Sequence, residues 1–374
     1  MGRIRVVTIM GTRPEAIKMA PVVGELRRRG GEFEPLVVTT AQHRGLLDQT
    51  LSGFDIKPDV DLNLMQQNQS LSDFASKSLQ ALSNLFSELR PQAILIQGDT
   101  TTVMTAALAA FYNDLSVGHV EAGLRSFDRR NPFPEEINRR IASCLVDMHF
   151  APTARARRNL LNEGTPEDDI FVTGNTIVDA LKAIPLEGEF ENEKLNRLDF
   201  DGKRLLLVTA HRRENHGEPL RSICRGLRMI VERFDDVEIV YPVHPNPNVM
   251  SVADEELARV NRVHLVEPAS YGDLLKLMDR CHLILTDSGG MQEEAPSLHK
   301  PVLVLRKVTE RPEVVEAGAG RIVGTDSARI LEAASSLLAD PREYRKMSEA
   351  ENPFGDGLAA QRIVEVLAQR FGDR

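Results

Sequence analysis

The chain predicts an α/β protein built as two successive halves, each a parallel sheet flanked by helices. Three observations predict it. Apolar runs of strand length alternate with amphipathic stretches of helix length along the whole chain, a pattern that makes parallel sheets with right-handed crossovers. At 374 residues the chain exceeds one ordinary core, on a prior of about 150 residues per domain. Between the two series, residues 185–203 are polar, acid-rich and loosely patterned, as a surface connection would be.

The first series opens with strand Ile4–Met10, which runs through Gly11-Thr-Arg-Pro14 into a helix at 15–28, Pro14 suiting the first helical position. Strand Phe33–Thr39 follows, then a long helix at 70–89 with apolar residues at Leu71, Phe74, Leu79, Leu82 and Phe86. Strand Ala93–Gln97, helix 102–112, strand 117–121, helix 134–146 and strand 149–151 complete it, and the pattern pauses near 175–181. The second series reads as strand Arg204–Thr209, helix 220–234, strands Val237–Pro242 and Val263–Val266, helix 271–279, strand Leu283–Thr286, helix 291–298 and strand 302–305. A last helix at 358–370 follows the Pro353/Gly355/Gly357 break and is expected to pack back on the first half. The expected divisions are therefore residues 1–172, 173–355 and 356–374.

Composition narrows the class. With 42% hydrophobic and 27% charged residues the chain reads as soluble and globular. Its longest apolar runs, such as 205–210 and 302–305, have the length of strands and not of membrane spans. A net charge of −9 argues against a nucleic-acid binder, which needs a basic face. Cys144, Cys224 and Cys281 form neither a CxxC pair nor an even framework. No signal-peptide pattern precedes the first strand, so a cytoplasmic location is expected.

The polar residues gather where ligands bind such sheets, past the carboxyl ends of strands. Arg13 and Lys18 follow the first strand, Asp99 the strand ending at Gln97, Glu121 the strand 117–121, and His211 the strand ending at Thr209; Glu135 and Glu136 start a helix after Phe133-Pro134. Strand 283–286 breaks into Ser288-Gly-Gly290 and then a helix carrying Glu293 and Glu294. Such a junction aims N–H groups and partial positive charge at an anion such as a diphosphate, with a carboxylate one turn on for a ribose diol; equally, Gly-Gly can serve a turn alone. Asp99 can be acid–base or merely an N-cap. Glu121 has no capping role and needs a partner, Arg125 or Arg13. Gly11-Thr-Arg-Pro-Glu-Ala-Ile-Lys18 lacks the second glycine and Lys-Ser/Thr of a P-loop, and no GxGxxG follows the first strand, which removes kinase, ATPase and dehydrogenase readings. The nine histidines are scattered without HxH or HExxH spacing, so no metal is expected.

Gly11-Thr-Arg-Pro-Glu15, Gly98-Asp-Thr-Thr-Thr102, His119-Val-Glu-Ala-Gly-Leu-Arg125, Pro134-Glu-Glu136, His211-Arg-Arg-Glu214, Thr286-Asp-Ser-Gly-Gly290, Gln292-Glu-Glu294 and Glu310-Arg-Pro312, in this order, resemble the non-hydrolysing UDP-N-acetylglucosamine 2-epimerases from first strand to last helix. The resemblance implies two Rossmann-like domains facing across a cleft, as in B-type glycosyltransferases, and a homodimer without NAD or other cofactor. It implies Asp99, Glu121 and Glu135 as acid–base carboxylates and His211 as the catalytic histidine beside the diphosphate. Arg13, Lys18, Ser288, Gly289, Gly290, Glu294 and Arg311 match binding positions; Glu136, Glu293, Arg212 and Arg213 stay ambiguous. The implied reaction eliminates UDP from UDP-N-acetylglucosamine to give 2-acetamidoglucal and adds it back to give UDP-N-acetylmannosamine.

Some family members carry a regulatory substrate site, and its positions correspond here to Gln42, His43, Gln69, Arg212 and His244. Asn68 stands where regulated members have an arginine, which counts against activation by UDP-N-acetylglucosamine; Ala269 replaces a polar residue near the base. Rival readings are an epimerase of a UDP-2,3-diacetamido uronic acid, a hydrolysing epimerase, a glycosyltransferase and an inactive nucleotide-sugar sensor. Thr100-Thr101 after the Gly-Asp favours the simpler sugar, and the intact carboxylates and histidine count against the sensor.

Overall fold

The computed structural model describes residues 2–40, 44–66, 69–199 and 201–372. The chain forms two compact units, one of Met1–Ala183 with Phe354–Arg374 and one of Ile184–Pro353.

The first unit runs β1 (Ile4–Met10), α1 (Arg13–Arg28), β2 (Phe33–Thr39), α2 (Arg44–Gly53), β3 (Val60–Asp61), α3 (Leu71–Leu89), β4 (Ala93–Gln97), α4 (Thr101–Tyr112), β5 (Ser116–Val120), α5 (Glu135–Ser143), β6 (Met148–Ala151), α6 (Ala154–Asn162), β7 (Ile170–Val172) and α7 (Thr176–Ala183). Its seven strands are parallel, in the order β3-β2-β1-β4-β5-β6-β7. Alternate residues feed opposite faces: Val6 and Met10 join Ala93 and Leu95 under α1, while Val7 and Ile9 join Ile94 and Ile96 under α3 and α4.

The second unit runs α8 (Glu193–Asn196), β8 (Arg204–Thr209), α9 (Glu218–Arg233), β9 (Val237–Pro242), α10 (Pro247–Leu257), β10 (Val263–Val266), α11 (Tyr271–Arg280), β11 (Leu283–Thr286), α12 (Gly289–Glu294), β12 (Val302–Val304), α13 (Pro312–Glu316), β13 (Gly320–Ile322), α14 (Ser327–Ala339) and α15 (Pro341–Ser348). Its six strands are also parallel, ordered β10-β9-β8-β11-β12-β13. The chain then returns to the first unit as α16 (Ala359–Phe371), which packs on α1 and α7 and buries Ile363, Val364, Leu367 and Phe371. Asp179 of α7 accepts the first free N–H groups of α16, from Ala360 at 2.8 Å and Ala359 at 3.3 Å.

One sequence expectation needs correction. The first unit extends to Ala183 instead of ending at 172, because the apparent pause at 175–181 is helix α7, packed on α1 and α16. All of Thr176–Leu181 is buried, so the segment shows no polar face and hence no amphipathic period. In both sheets the strand order reverses direction beside the first strand of the unit, between β1 and β4 and between β8 and β11. Loops past the carboxyl ends of those strands diverge to opposite faces and leave a crevice for a ligand. Among the described residues no helix is long and apolar enough to cross a membrane.

Candidate functional site

In the first unit the charged residues stand on the loops after β1, β4 and β5. Glu121, one residue past β5, has φ 66° and is only 8% exposed. A left-handed conformation at a non-glycine residue costs roughly 1 kcal/mol or more, and it turns the side chain back over the strand ends. Lys18 Nζ lies 2.5 Å from Glu121 Oε1, Asn175 Nδ2 donates to the same oxygen at 3.2 Å, and Gln97 Nε2 donates to Oε2. The partner is therefore Lys18 and not Arg125 or Arg13: Arg125 instead pairs with Glu163 at 2.6 Å and donates to Ser143 Oγ at 2.8 Å.

Asp99 does not cap α4. Thr100 does, accepting from Val103 N at 3.4 Å, which leaves the Asp99 carboxylate to Arg139, whose Nη2 and Nε reach Oδ2 at 2.7 and 3.0 Å. Glu135 and Glu136 separate by role. Glu136 is fully buried and accepts from Ser126 N at 2.9 Å, Phe127 N at 3.2 Å and Arg139 at 3.2 Å. Burial pushes its carboxyl up, yet the Ser126 N–H and the Arg139 charge outweigh that and hold it below the usual range. It fixes the loop before α5, and Glu135 is its part-buried neighbour in the first helical turn.

Beneath these groups lies Glu15, which the sequence offered only as part of a motif. It accepts from Gly11 N at 2.5 Å, Thr12 N at 3.0 Å and Thr100 Oγ1 at 2.6 Å, so one carboxyl joins the loops on both sides of the β1/β4 switch point. Burial, with Asp99 nearby, raises its pKa to about 7 against those hydrogen bonds. Gly11 is required there, since a Cβ would come within 2.6 Å of Thr102 Oγ1 and 2.7 Å of Thr40 Oγ1. His119 contacts Gly98 O through Nε2 at 2.7 Å, and burial keeps it neutral with a pKa near 3. Arg13 is part-buried in the first turn of α1 and makes no ion pair among the described residues.

The second unit gathers its charged residues at the β8/β11 switch point. Asp287, fully buried, accepts through Oδ2 from His211 N and Arg212 N, both at 2.8 Å, and from Asn215 Nδ2 at 3.0 Å. It thereby fixes the loop after β8, a role no sequence pattern disclosed. The His211 ring stacks on His244 at 5.1 Å, and its Nδ1 is 3.6 Å from Asp287 Oδ1. Burial lowers the His211 pKa, Asp287 opposes this, and His244, Arg212 and His216 add to it. Ser288 precedes α12, and Gly289 and Gly290 open it. Neither glycine has a positive φ, and the nearest neighbours of an added Cβ would be Arg212 Nη2 at 3.7 Å and Ser288 Oγ at 4.0 Å. The fold does not require glycine at either position. Arg212 stands beside this turn and Arg213 is exposed. Glu293, fully buried, pairs with Arg311, and Glu294 accepts from Tyr271 Oη at 2.9 Å.

Of the positions matched to a regulatory site, Gln42, His43 and Asn68 lie outside the described residues. Gln69 accepts from Gln66 N at 3.1 Å, and Arg212 and His244 belong to the second unit. His244 Nδ1 accepts from Asn246 N at 3.2 Å.

Doubly wound sheets with charged side chains gathered at both switch points define an α/β enzyme. A family model described as UDP-N-acetylglucosamine 2-epimerase matches residues 25–368. The UDP-N-acetylglucosamine 2-epimerase of Bacillus subtilis is 50% identical over 374 residues, covering 100% of this chain and 97% of the relative. A Neisseria meningitidis UDP-GlcNAc 2-epimerase solved with UDP-GlcNAc superposes with a TM-score of 0.88 at 45% identity, over 98% of this chain and 100% of that one. An S. aureus protein, MnaA, solved with UDP gives 0.90 at 45% identity, over 99% and 97%. The chain belongs to the UDP-N-acetylglucosamine 2-epimerase family.

Because the folded pKa of Glu15 is raised to about 7 from 4.5, its contribution to stability is fully present below pH 4.5 and is lost as pH rises through 7. Glu15→Gln removes that titration. Urea denaturation at pH 5.5 and 8.0 is expected to show the variant gaining on the wild type by on the order of 2 kcal/mol at the higher pH. Identical pH dependence in the two proteins would contradict the assignment.

Proposed function

We propose that this protein interconverts UDP-N-acetylglucosamine and UDP-N-acetylmannosamine by eliminating and re-adding UDP, without hydrolysis. The observation that carries the reading is Glu121, a buried carboxylate held at a strand tip by a lysine and two amides. In the elimination the C1–O bond to the diphosphate breaks, the C2 proton passes to an enzyme carboxylate, and 2-acetamidoglucal and UDP result. In the return, a proton is delivered to the other face of C2 while a diphosphate oxygen of UDP bonds to C1. The C2 proton is not next to a carbonyl and is poorly acidic, so departure of the diphosphate must first place positive charge on the ring. Asp99, Glu121 and Glu135 supply the negative charge and proton transfer for this, and His211 and Arg212 favour the departing diphosphate.

In this reading Ser288, Gly289 and Gly290 cradle the diphosphate, Glu294 takes the ribose hydroxyls, and Arg13, Lys18 and Arg311 complete the binding set. The family resemblance further supports a cytoplasmic homodimer that needs no cofactor.

Incubation with UDP-N-acetylglucosamine in deuterium oxide is expected to give the manno epimer with deuterium at C2, followed by NMR. Epimer formed without deuterium, or steady accumulation of free UDP and N-acetylmannosamine, would contradict the mechanism. Gly289→Ala is expected to weaken UDP binding by at least about tenfold while moving Tm by no more than about 2 °C, read by calorimetry and thermal denaturation. Undiminished UDP affinity would remove the cradle from the proposal.

A further inference from the structure

Asn175 belongs to no motif that the proposed reaction uses, yet it is 3% exposed and sits on Glu121. Its side chain has a fixed orientation. The carbonyl Oδ1 accepts from Ile177 N at 3.1 Å, so the NH₂ group must face the other way, onto Glu121 Oε1 at 3.2 Å. Its backbone is fixed as well: Asn175 N donates to Phe354 O at 2.7 Å, and Phe354 is the residue at which the chain re-enters the first unit. Gly174 (φ 90°) and Gly355 (φ 114°) let the two segments touch there, since a Cβ on Gly355 would lie 3.1 Å from the Gly174 Cα. An amide locked at both ends is a poor ligand contact but a good brace. Its partner needs one, because a carboxylate on a left-handed residue can be aimed only by what grips its oxygens.

We propose that Asn175 is a positioning residue for the epimerisation: it aims the Glu121 carboxylate, acting from the point where the returning chain docks. The proposal rests on the reading of Glu121 as an acid–base group. Lys18 supplies charge to the same oxygen, whereas Asn175 supplies a directional donor whose loss leaves the ion pair in place.

Two substitutions preserve the fold's use of the residue. Asn175→Ser keeps an oxygen for Ile177 N and the bond to Phe354 but cannot reach Glu121. Asn175→Asp keeps the shape and sets a second carboxylate against Glu121. For Asn175→Ser the expected result is a kcat lower by about 10- to 100-fold, with KM and the Kd for UDP within about threefold. The acid limb of the kcat–pH profile should move up by about half a unit to one unit, because the anion has lost a donor. Asn175→Asp should move that limb further in the same direction. Both variants are compared with wild type for Tm, to be certain that folded protein is assayed. A fall in kcat with an unmoved acid limb, or a fall shared equally by UDP binding, would overturn the positioning role alone. Wild-type protein that takes up no deuterium at C2 would overturn the parent reading and this one with it.

Discussion

The buried carboxylate of Glu121 is the constraint around which the first unit is arranged. A carboxyl group buried without partners is costly, and here it also stands on a residue with φ 66°. Grips on it come from separate parts of the chain: Lys18 from α1, Gln97 from the end of β4, and Asn175 from the segment before α7. Only a strand order that sets β1, β4 and β5 side by side brings these together. The topology and the ion pair therefore support each other, and neither is explicable from the strand containing Glu121.

Asp287 does comparable work in the second unit. It too is a buried carboxylate past a central strand, and it holds the backbone N–H groups of the neighbouring loop, which carries His211 and Arg212. Glu15 and Glu136 repeat the device in the first unit, gripping loop amides at 11–12 and 126–127. Loops that carry chemistry are normally the mobile parts of such folds. In this protein a buried acceptor pins each of these three, so the charged side chains are presented from backbone that is already set.

Alternation of apolar strands with amphipathic helices made the α/β class and the twofold division legible in the sequence. Strand-end position, together with the family resemblance, singled out Asp99, Glu121, Glu135 and His211. What escaped was whatever depends on contact between distant segments. α7 hid because the whole of Thr176–Leu181 is buried, and β3, with only two residues, is too short to show a period. The partner of Glu121 was misjudged because contact alone decides which cation near the start of α1 reaches it: Lys18 does and Arg13 does not, while Arg125, near in sequence, proved to serve Glu163. Asp99 resembled a cap because Asp caps helices well, yet Thr100, one residue later, took that position. The structural roles of Glu136 and Glu293 within the pairs Glu135/Glu136 and Glu293/Glu294 could be read only once their partners, the loop amides at 126–127 and Arg311, were known.

The central claim is that Glu121 takes part in the chemistry and that holding the nucleotide falls to the second unit. Glu121→Gln tests it most directly, with turnover of UDP-N-acetylglucosamine and calorimetric UDP binding measured on the same folded preparation. The account predicts turnover lower by about a thousandfold or more and a UDP Kd within about threefold of wild type. Turnover retained within tenfold, or UDP affinity lost in step with turnover, would contradict it.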